Sequence, residues 1–283
     1  MSPKSPGTFQ LKSNGRIWDI QLPQVMGIIN CTPDSFFSGN RFHSTSDAIE
    51  QGIQMLNEGA NALDIGGQST RPNAKEVNAS DEWERIAPVI QGIRSEFPNA
   101  ILSIDTFHSD VAEKALNAGA FMINDVFAGR KDPRLADVIR SARAPLVIMH
   151  MQGTPETMQK NPSYEDVQRE VLDWLAHRCS ALNEYGIEQL IVDPGFGFGK
   201  TVKHNFQLLH SLSDFHSLNC PLLVGISRKS MVWKSLDTTP EEALNGTTAL
   251  HAWALERGTQ ILRVHDVEEA METVKLFLQL HPN

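Results

Sequence analysis

The sequence predicts an α/β fold, a (β/α)8 barrel preceded by a short extension. Three observations predict it. Eight short runs rich in Val, Ile and Leu recur along the chain, and an amphipathic stretch follows each. The length of 283 residues suits the roughly 250 that eight such units occupy. The runs are continuous rather than alternating, as strands buried on both faces should be. The competing arrangement is an open, doubly wound sheet with extra units.

The elements follow in order. Residues 1–24 precede the first unit, and Asn14-Gly15 marks a β-hairpin turn. Strands are expected at 25–30, 62–66, 101–105, 121–124, 146–149, 190–193, 222–225 and 261–263. The first helix carries Ala48, Ile49, Gly52, Ile53 and Leu56 at helical spacing and stops at Gly59. The second carries Trp83, Ile86, Ile90 and Ile93, and is expected to open at Ser80 with Asp81 and Glu82 in its first turn. Shorter patterns run over Val111-Ala115-Leu116 and Leu135-Val138-Ile139. Val167, Val171, Leu175, Cys179 and Leu182 predict the longest helix, ended by Gly186. Phe206, Leu209 and Leu212 predict another. Ala243-Thr247-Leu250-Ala254 and Ala270-Val274-Phe277 complete the set. Asn57-Glu58-Gly59-Ala60 and Asn117-Ala118-Gly119-Ala120 close two helices alike. No linker divides residues 25–283, which read as one barrel domain.

Composition removes several functions. With 25 Lys+Arg against 34 Asp+Glu the net charge is −9, which argues against a nucleic-acid partner held by bulk charge. No apolar run approaches the roughly 20 residues of a membrane helix. The first ten residues lack the apolar segment of a secretory signal. Three cysteines, Cys31, Cys179 and Cys220, cannot all pair and none lies in a CxxC. A reducing, cytoplasmic location is expected.

Polar residues collect at the strand ends, where a barrel keeps its working face. In chain order they are Asn30, Asp64, Asp105, Asn124-Asp125, His150, Asp193, Ser227-Arg228-Lys229, and Arg263 with His265. Any one of them could be a helix cap or loop hydrogen bond; eight converging ends are harder to explain so. Arg71, Arg263, His265, Lys229 and Arg228 suit a phosphate or pyrophosphate. Asp105, Asn124 and Asp193 suit a ligand edge with a row of N–H donors, such as an aminopyrimidinone. The stretch from Gly195 to Thr201 resembles a P-loop but has Pro194 where the motif needs glycine. Its glycines are expected to let the loop pass close to a flat ligand or another backbone. No HExxH or GxSxG is present. Cys31 has no evident base.

The strand ends also carry a family resemblance. They read Asn30-Cys31-Thr32-Pro33-Asp34-Ser35-Phe36, Asp64-Ile65-Gly66-Gly67-Gln68-Ser69-Thr70-Arg71-Pro72, Ser103-Ile104-Asp105-Thr106 and Asn124-Asp125-Val126. Met149-His150-Met151-Gln152-Gly153-Thr154-Pro155, Asp193-Pro194-Gly195-Phe196-Gly197-Phe198-Gly199-Lys200, Ser227-Arg228-Lys229-Ser230 and Arg263-Val264-His265-Asp266-Val267 follow. Together they resemble the bacterial-type dihydropteroate synthases, over nearly the whole chain.

The resemblance implies a transferase of folate biosynthesis on a TIM barrel. It would join 6-hydroxymethyl-7,8-dihydropterin pyrophosphate to p-aminobenzoate, releasing pyrophosphate. It implies a pterin grip by Asp105, Asn124, Met149, Asp193, Phe198 and Lys229. It implies a pyrophosphate site of Asn30, Arg71, Arg263 and His265, with Asn30 on a Mg2+ ion, and a p-aminobenzoate site of Thr70, Pro72, Lys229 and Ser230. Asp105, Asp193, Lys229 and Arg263 would carry catalysis. It further implies a homodimer and a sulfonamide target. Val232, Trp233, Trp253 and the last helix are apolar enough for an interface, with core packing the better reading of any one of them. Two features depart from the family pattern. No aspartate follows the first motif, where Ser38 and Arg41 stand, and Gln68 replaces an acidic residue. A methyltetrahydrofolate-dependent methyltransferase barrel and a non-catalytic pterin-binding paralogue are the competing readings.

Overall fold

A computed structural model describes residues 7–31, 45–68 and 76–282. Strands β1 (Phe9–Ser13) and β2 (Arg16–Ile20) form the expected hairpin, with Phe9 opposite Ile20 and Ser13 opposite Arg16. Asn14 and Gly15 both adopt positive φ, 51° and 72°, which a two-residue turn matched to strand twist requires.

The barrel strands are β3 (Gln24–Asn30), β4 (Ala62–Gly66), β5 (Ile101–Asp105), β6 (Met122–Asp125), β7 (Leu146–Met149), β8 (Leu190–Asp193), β9 (Leu223–Val224) and β10 (Ile261–Val264). All neighbours are parallel, in the order β8-β7-β6-β5-β4-β3-β10-β9. The two ends of that order meet. The Val192 N–H donates to the Pro221 carbonyl at 2.9 Å, and Val192 bridges Leu222 in parallel. The sheet closes on itself, which excludes the open doubly wound alternative.

Helices α1 (Thr45–Asn57), α2 (Ala79–Glu96), α3 (Ser109–Asn117), α4 (Arg134–Ala142), α5 (Val167–Glu184), α6 (Val202–His210), α7 (Ser230–Trp233), α8 (Leu244–Glu256) and α9 (Val267–Leu280) follow the strands. Their apolar faces and the outward strand residues form the main core. Three details differ from expectation. Helix α2 is capped by Asn78, whose side chain accepts from the Asp81 N–H at 2.9 Å, so Ser80 lies inside the helix. At 18 residues α2 equals α5 in length. Leu212 belongs to a separate 3-10 turn, Leu212–Leu218, rather than to α6. The two repeated helix ends do match: Gly59 and Gly119 have φ of 104° and 94°, and Ala60 and Ala120 donate to Met55 and Ala115 at 2.9 Å.

The hairpin seals the N-terminal end of the barrel. Leu11, Trp18 and Ile20 pack onto Met26, Phe121 and Ile191 among other strand-start residues. The Trp18 indole N–H donates to Gln24 at 3.0 Å, and its ring meets Phe121 edge-on at 6.4 Å. Gln189 pairs with both backbone groups of Lys12, at 2.6 and 2.8 Å. Only the C-terminal end is left for chemistry. Trp18→Ala should therefore lower stability by about 3–5 kcal/mol in urea denaturation while leaving ligand affinity at the far end intact. A loss below about 1 kcal/mol would mean that the hairpin is not part of the core.

Candidate active site

Strand register brings the polar ends together. Gly66 pairs with Asp105, Asp105 with Asn124, and Met149 with Asp193. Arg263 reaches in from β10. Its Nε donates to Asp64 Oδ2 at 2.7 Å, and a terminal nitrogen donates to Asp105 Oδ2 at 3.2 Å. The Asn124 amide donates to the same Asp64 oxygen at 2.9 Å. The other Asp64 oxygen is buried without a partner. Arg263 was expected beside an anion; here its guanidinium spans two carboxylates. Those carboxylates outweigh its burial and hold it firmly charged. Burial and the neighbouring Asp64 push the Asp105 carboxyl up, against the pull of Arg263.

A second group surrounds Asp193. One of its oxygens accepts from the Gly195 N–H at 2.7 Å. Burial raises its pKa, opposed by Lys229, that N–H, Arg263 and Lys200. The Lys229 ammonium donates to the Phe196 carbonyl and lies 4.7 Å from the Phe198 ring centre. Burial draws Lys229 down to about 8, with Asp193 resisting. Met149, Met151, Met158 and Val126 form an apolar wall with Phe127 and Phe198. This side of the mouth thus offers carboxylates, an amide, an ammonium and a flat apolar surface.

The rim holds the remaining described candidates. Asn30 ends β3, half-buried. The neighbouring Cys31 thiol is pushed up to about 12 by burial, which removes it as a nucleophile. His265 Nδ1 lies 3.0 Å from the Ser227 hydroxyl. The residue stands exposed at the rim; desolvation of the imidazole, then the cations Arg263, Arg228 and Lys229, lower its pKa against Asp266. Arg228 is locked by Asp266 in a two-point ion pair at 2.7 and 2.9 Å. Ser230 opens α7 beside Lys229. Thr70, Arg71 and Pro72 lie outside the described residues, as do Ser38 and Arg41. The Gln68 side-chain oxygen accepts from the Val77 N–H at 2.6 Å.

Three residues at or behind the mouth were absent from the expected site. Asp64 was noted only as a strand end; a charged residue inside Ala62-Leu63-Asp64-Ile65-Gly66 was the available signal. Lys200 was set aside with the failed P-loop. Glu82 read as an ordinary first-turn helix acid, and nothing in the sequence marks its depth. It is fully buried, with neither oxygen hydrogen-bonded, 3.7 Å from His108 Nε2. Burial pushes it up to about 7, against Thr106 and Arg85.

A family model described as pterin binding enzyme matches residues 26–265. The chain is 41% identical over 270 residues to the dihydropteroate synthase of Escherichia coli strain K12, covering 95% of each. It resembles the crystal structure of Yersinia pestis dihydropteroate synthase with a sulfonamide drug complex at a TM-score of 0.92 and 39% identity, over 97% of this chain and 100% of that one. It resembles Xanthomonas albilineans dihydropteroate synthase with 4-aminobenzoic acid at a TM-score of 0.90 and 39% identity, over 99% and 100%.

Glu82 gives the folded protein a pH signature. Its carboxyl goes from an ordinary 4.5 to about 7 on folding. The stability associated with its proton is full below about 4.5 and is lost as pH rises through about 7. Relative to the parent, Glu82→Gln should gain roughly 2 kcal/mol between pH 5 and pH 8. Parallel urea-denaturation curves at the two pH values check this; an unchanged difference would show that Glu82 is ionised in the folded state.

Proposed function

The chain belongs to the pterin-binding enzyme family and, within it, to the dihydropteroate synthases; on that premise we propose how its residues divide the reaction. The enzyme joins 6-hydroxymethyl-7,8-dihydropterin pyrophosphate to p-aminobenzoate in folate biosynthesis, giving 7,8-dihydropteroate and pyrophosphate. The Yersinia pestis relative was crystallised with a sulfonamide drug, and we propose that this enzyme too is a sulfonamide target.

The observation that carries the residue assignment is the convergence of Asp105, Asn124, Asp193 and Lys229 beside a methionine and phenylalanine wall. The ring edge of a dihydropterin presents N–H donors, which the carboxylates accept pairwise. Its flat face stacks on the apolar wall. Pyrophosphate leaves with the electron pair of the methylene C–O bond. Positive charge then spreads over the methylene and ring, and Asp105 and Asp193 stabilise it as it develops. The neutral amine of p-aminobenzoate attacks, forms the C–N bond and gives its proton to solvent. This is an SN1-like substitution. It needs no general base, in keeping with a Cys31 thiol held protonated and a His265 shifted toward its neutral form.

On the leaving side, Lys229, Arg263 and His265 face the same opening, with Arg71 assigned there by family pattern. The described residues include no cluster of three His, Cys, Asp or Glu able to hold a metal. Asn30 offers one amide oxygen. That fits Mg2+ carried on a pyrophosphate, since the ion keeps waters and takes few protein ligands. When bound, it would neutralise leaving-group charge. Thr70, Pro72, Lys229 and Ser230 are assigned to p-aminobenzoate. The thiols of Cys31, Cys179 and Cys220 are free, in keeping with a cytoplasmic enzyme. No helix among the described residues is long and apolar enough to cross a membrane.

We also infer a homodimer. Trp253 on α8 and Leu276 and Leu280 on α9 are 55%, 68% and 74% exposed. Those two helices pack together, so their exposed apolar residues offer one surface. Val232, in contrast, is buried and belongs to the core. Trp253→Glu should shift the sedimenting species from dimer to monomer; a parent that already sediments as a monomer removes the inference.

Pyrophosphate release with Mg2+ should depend on p-aminobenzoate. Asp193→Asn should reduce pterin affinity by about a hundredfold, the loss of a charged hydrogen-bond acceptor. Arg263→Ala should lower turnover more than pterin affinity. An Asp193→Asn enzyme with parental affinity would remove Asp193 from the pterin grip.

A further inference from the structure

We propose that Lys200 is a positioning residue of the pterin pocket: its ammonium ties the end of β7 to the loop after β8 and adds its positive charge to those that face Asp193. The proposal rests on the dihydropteroate synthase reading above.

Lys200 is almost wholly buried. Its Nζ faces four acceptors: His150 Nδ1 at 3.0 Å, the Gly195 carbonyl at 3.0 Å, the Phe198 carbonyl at 3.1 Å and the His150 carbonyl at 3.3 Å. None is a carboxylate. Three are carbonyl oxygens, which only accept. Burial followed by Lys200 itself drives His150 down to about 3, which keeps the ring neutral, and beside an ammonium that ring is assigned the tautomer with its proton on Nε2, so that Nδ1 accepts. An ammonium supplies three N–H groups to this cage. A neutral amine would supply two and turn its lone pair toward an oxygen. The cage is therefore matched to the cation, although burial draws Lys200 down to about 7.

The same residue fixes the loop that forms the pocket floor. Gly195 and Gly199 take φ of 73° and 64°. A Cβ at Gly195 would sit 1.9 Å from the His150 carbonyl oxygen, and one at Gly199 would sit 2.5 Å from the Gln152 carbonyl oxygen. The glycines therefore let two backbones touch, one of the two roles the sequence allowed. They do not leave a phosphate cradle, because the Gly195 N–H is committed to Asp193 and the Gly197 N–H to Asn205 at 2.7 Å each. This loop also supplies the carbonyl that receives Lys229 and the ring beside it. Releasing Lys200 would loosen all of these at once.

Charge gives Lys200 a second effect. Asp193 is faced by Lys229 from the β9–α7 turn, by Arg263 from β10 and by Lys200 from its own loop. Lys200 is faced by Asp193, Lys229 and His150, with Arg130 beyond His150 and His204 on α6 nearby. Removing the Lys200 charge leaves Asp193 with two cations and makes its proton harder to remove.

The test is calorimetric titration of 6-hydroxymethyl-7,8-dihydropterin pyrophosphate with Mg2+ from pH 5.5 to 9, together with KM for p-aminobenzoate. Lys200→Met should weaken pterin binding about tenfold or more, the loss of a charged hydrogen-bond donor. It should also move the acid limb of binding to higher pH, and it should raise KM for p-aminobenzoate, which shares Lys229 with the pterin, by a clearly smaller factor than it weakens the pterin. Lys200→Arg should restore the limb toward the parent position. If Lys200→Met does not fold, Lys200→Gln, which keeps two N–H donors without the charge, reads the same limb. A variant with the parental limb, or with equal losses toward both substrates, overturns the proposal. A parent that binds no pterin overturns the functional reading instead.

Discussion

Carboxylates crowd the mouth of this barrel, and Arg263 is what lets two of them stand together. Asp64 is close enough to make the Asp105 charge more costly, and both side chains have lost most of their water. The guanidinium lies between them and donates to both. It does so from β10, which is separated from β5 in the sheet by β3 and β4. The ion pairs therefore reach past β3 and tie together strands that are not neighbours in the sheet. Taking out one partner of such a set leaves a buried charge unanswered, which is far worse than never having built it. Asn124 joins the same Asp64 oxygen. Its position therefore depends indirectly on Arg263.

That arrangement gives the pocket a gradient. In the proposed reaction the side toward β5 and β8 meets the ring that gains positive charge, and the side toward Lys229, Arg263 and His265 meets the anion that departs. Neither side has to reorganise when the bond breaks, which is where buried, prepositioned charge contributes most to rate. The Lys200 cage applies the same logic one layer lower. It holds a cation with neutral acceptors, so its field reaches Asp193 without being cancelled by a contacting carboxylate.

The barrel was legible because its strands are buried on both faces and so read as plain apolar runs; the expected 62–66, 101–105, 146–149 and 190–193 coincide with β4, β5, β7 and β8. The hairpin was legible because Asn14-Gly15 has few other uses. The α2 cap was not, because Asn78 and Ser80 are both good caps and only the fold decides which carbonyl or hydroxyl reaches an N–H. Strand-end polar residues announced the site, but their partners did not. Sequence shows that Arg263 and Asp64 both lie at strand ends; it does not show that 199 residues apart they meet. Depth is the other missing quantity. Glu82 looks like any helix-opening acid until the packing of α2 against Gly67 covers it. Thr70, Arg71 and Pro72 were assigned by family pattern and lie outside the described residues.

The hairpin at the closed end has a consequence for how the chain is made. It leaves the ribosome ahead of the barrel strands, yet Lys12 finds its partner Gln189 only 177 residues later. At roughly 5–20 residues per second, Leu11, Trp18 and Ile20 wait on the order of ten to thirty seconds for their seat. A two-stranded ribbon alone is barely stable in water. For that interval the nascent chain displays an apolar face whose native seat is incomplete, and a chaperone that shields short apolar segments would find it there before the barrel closes.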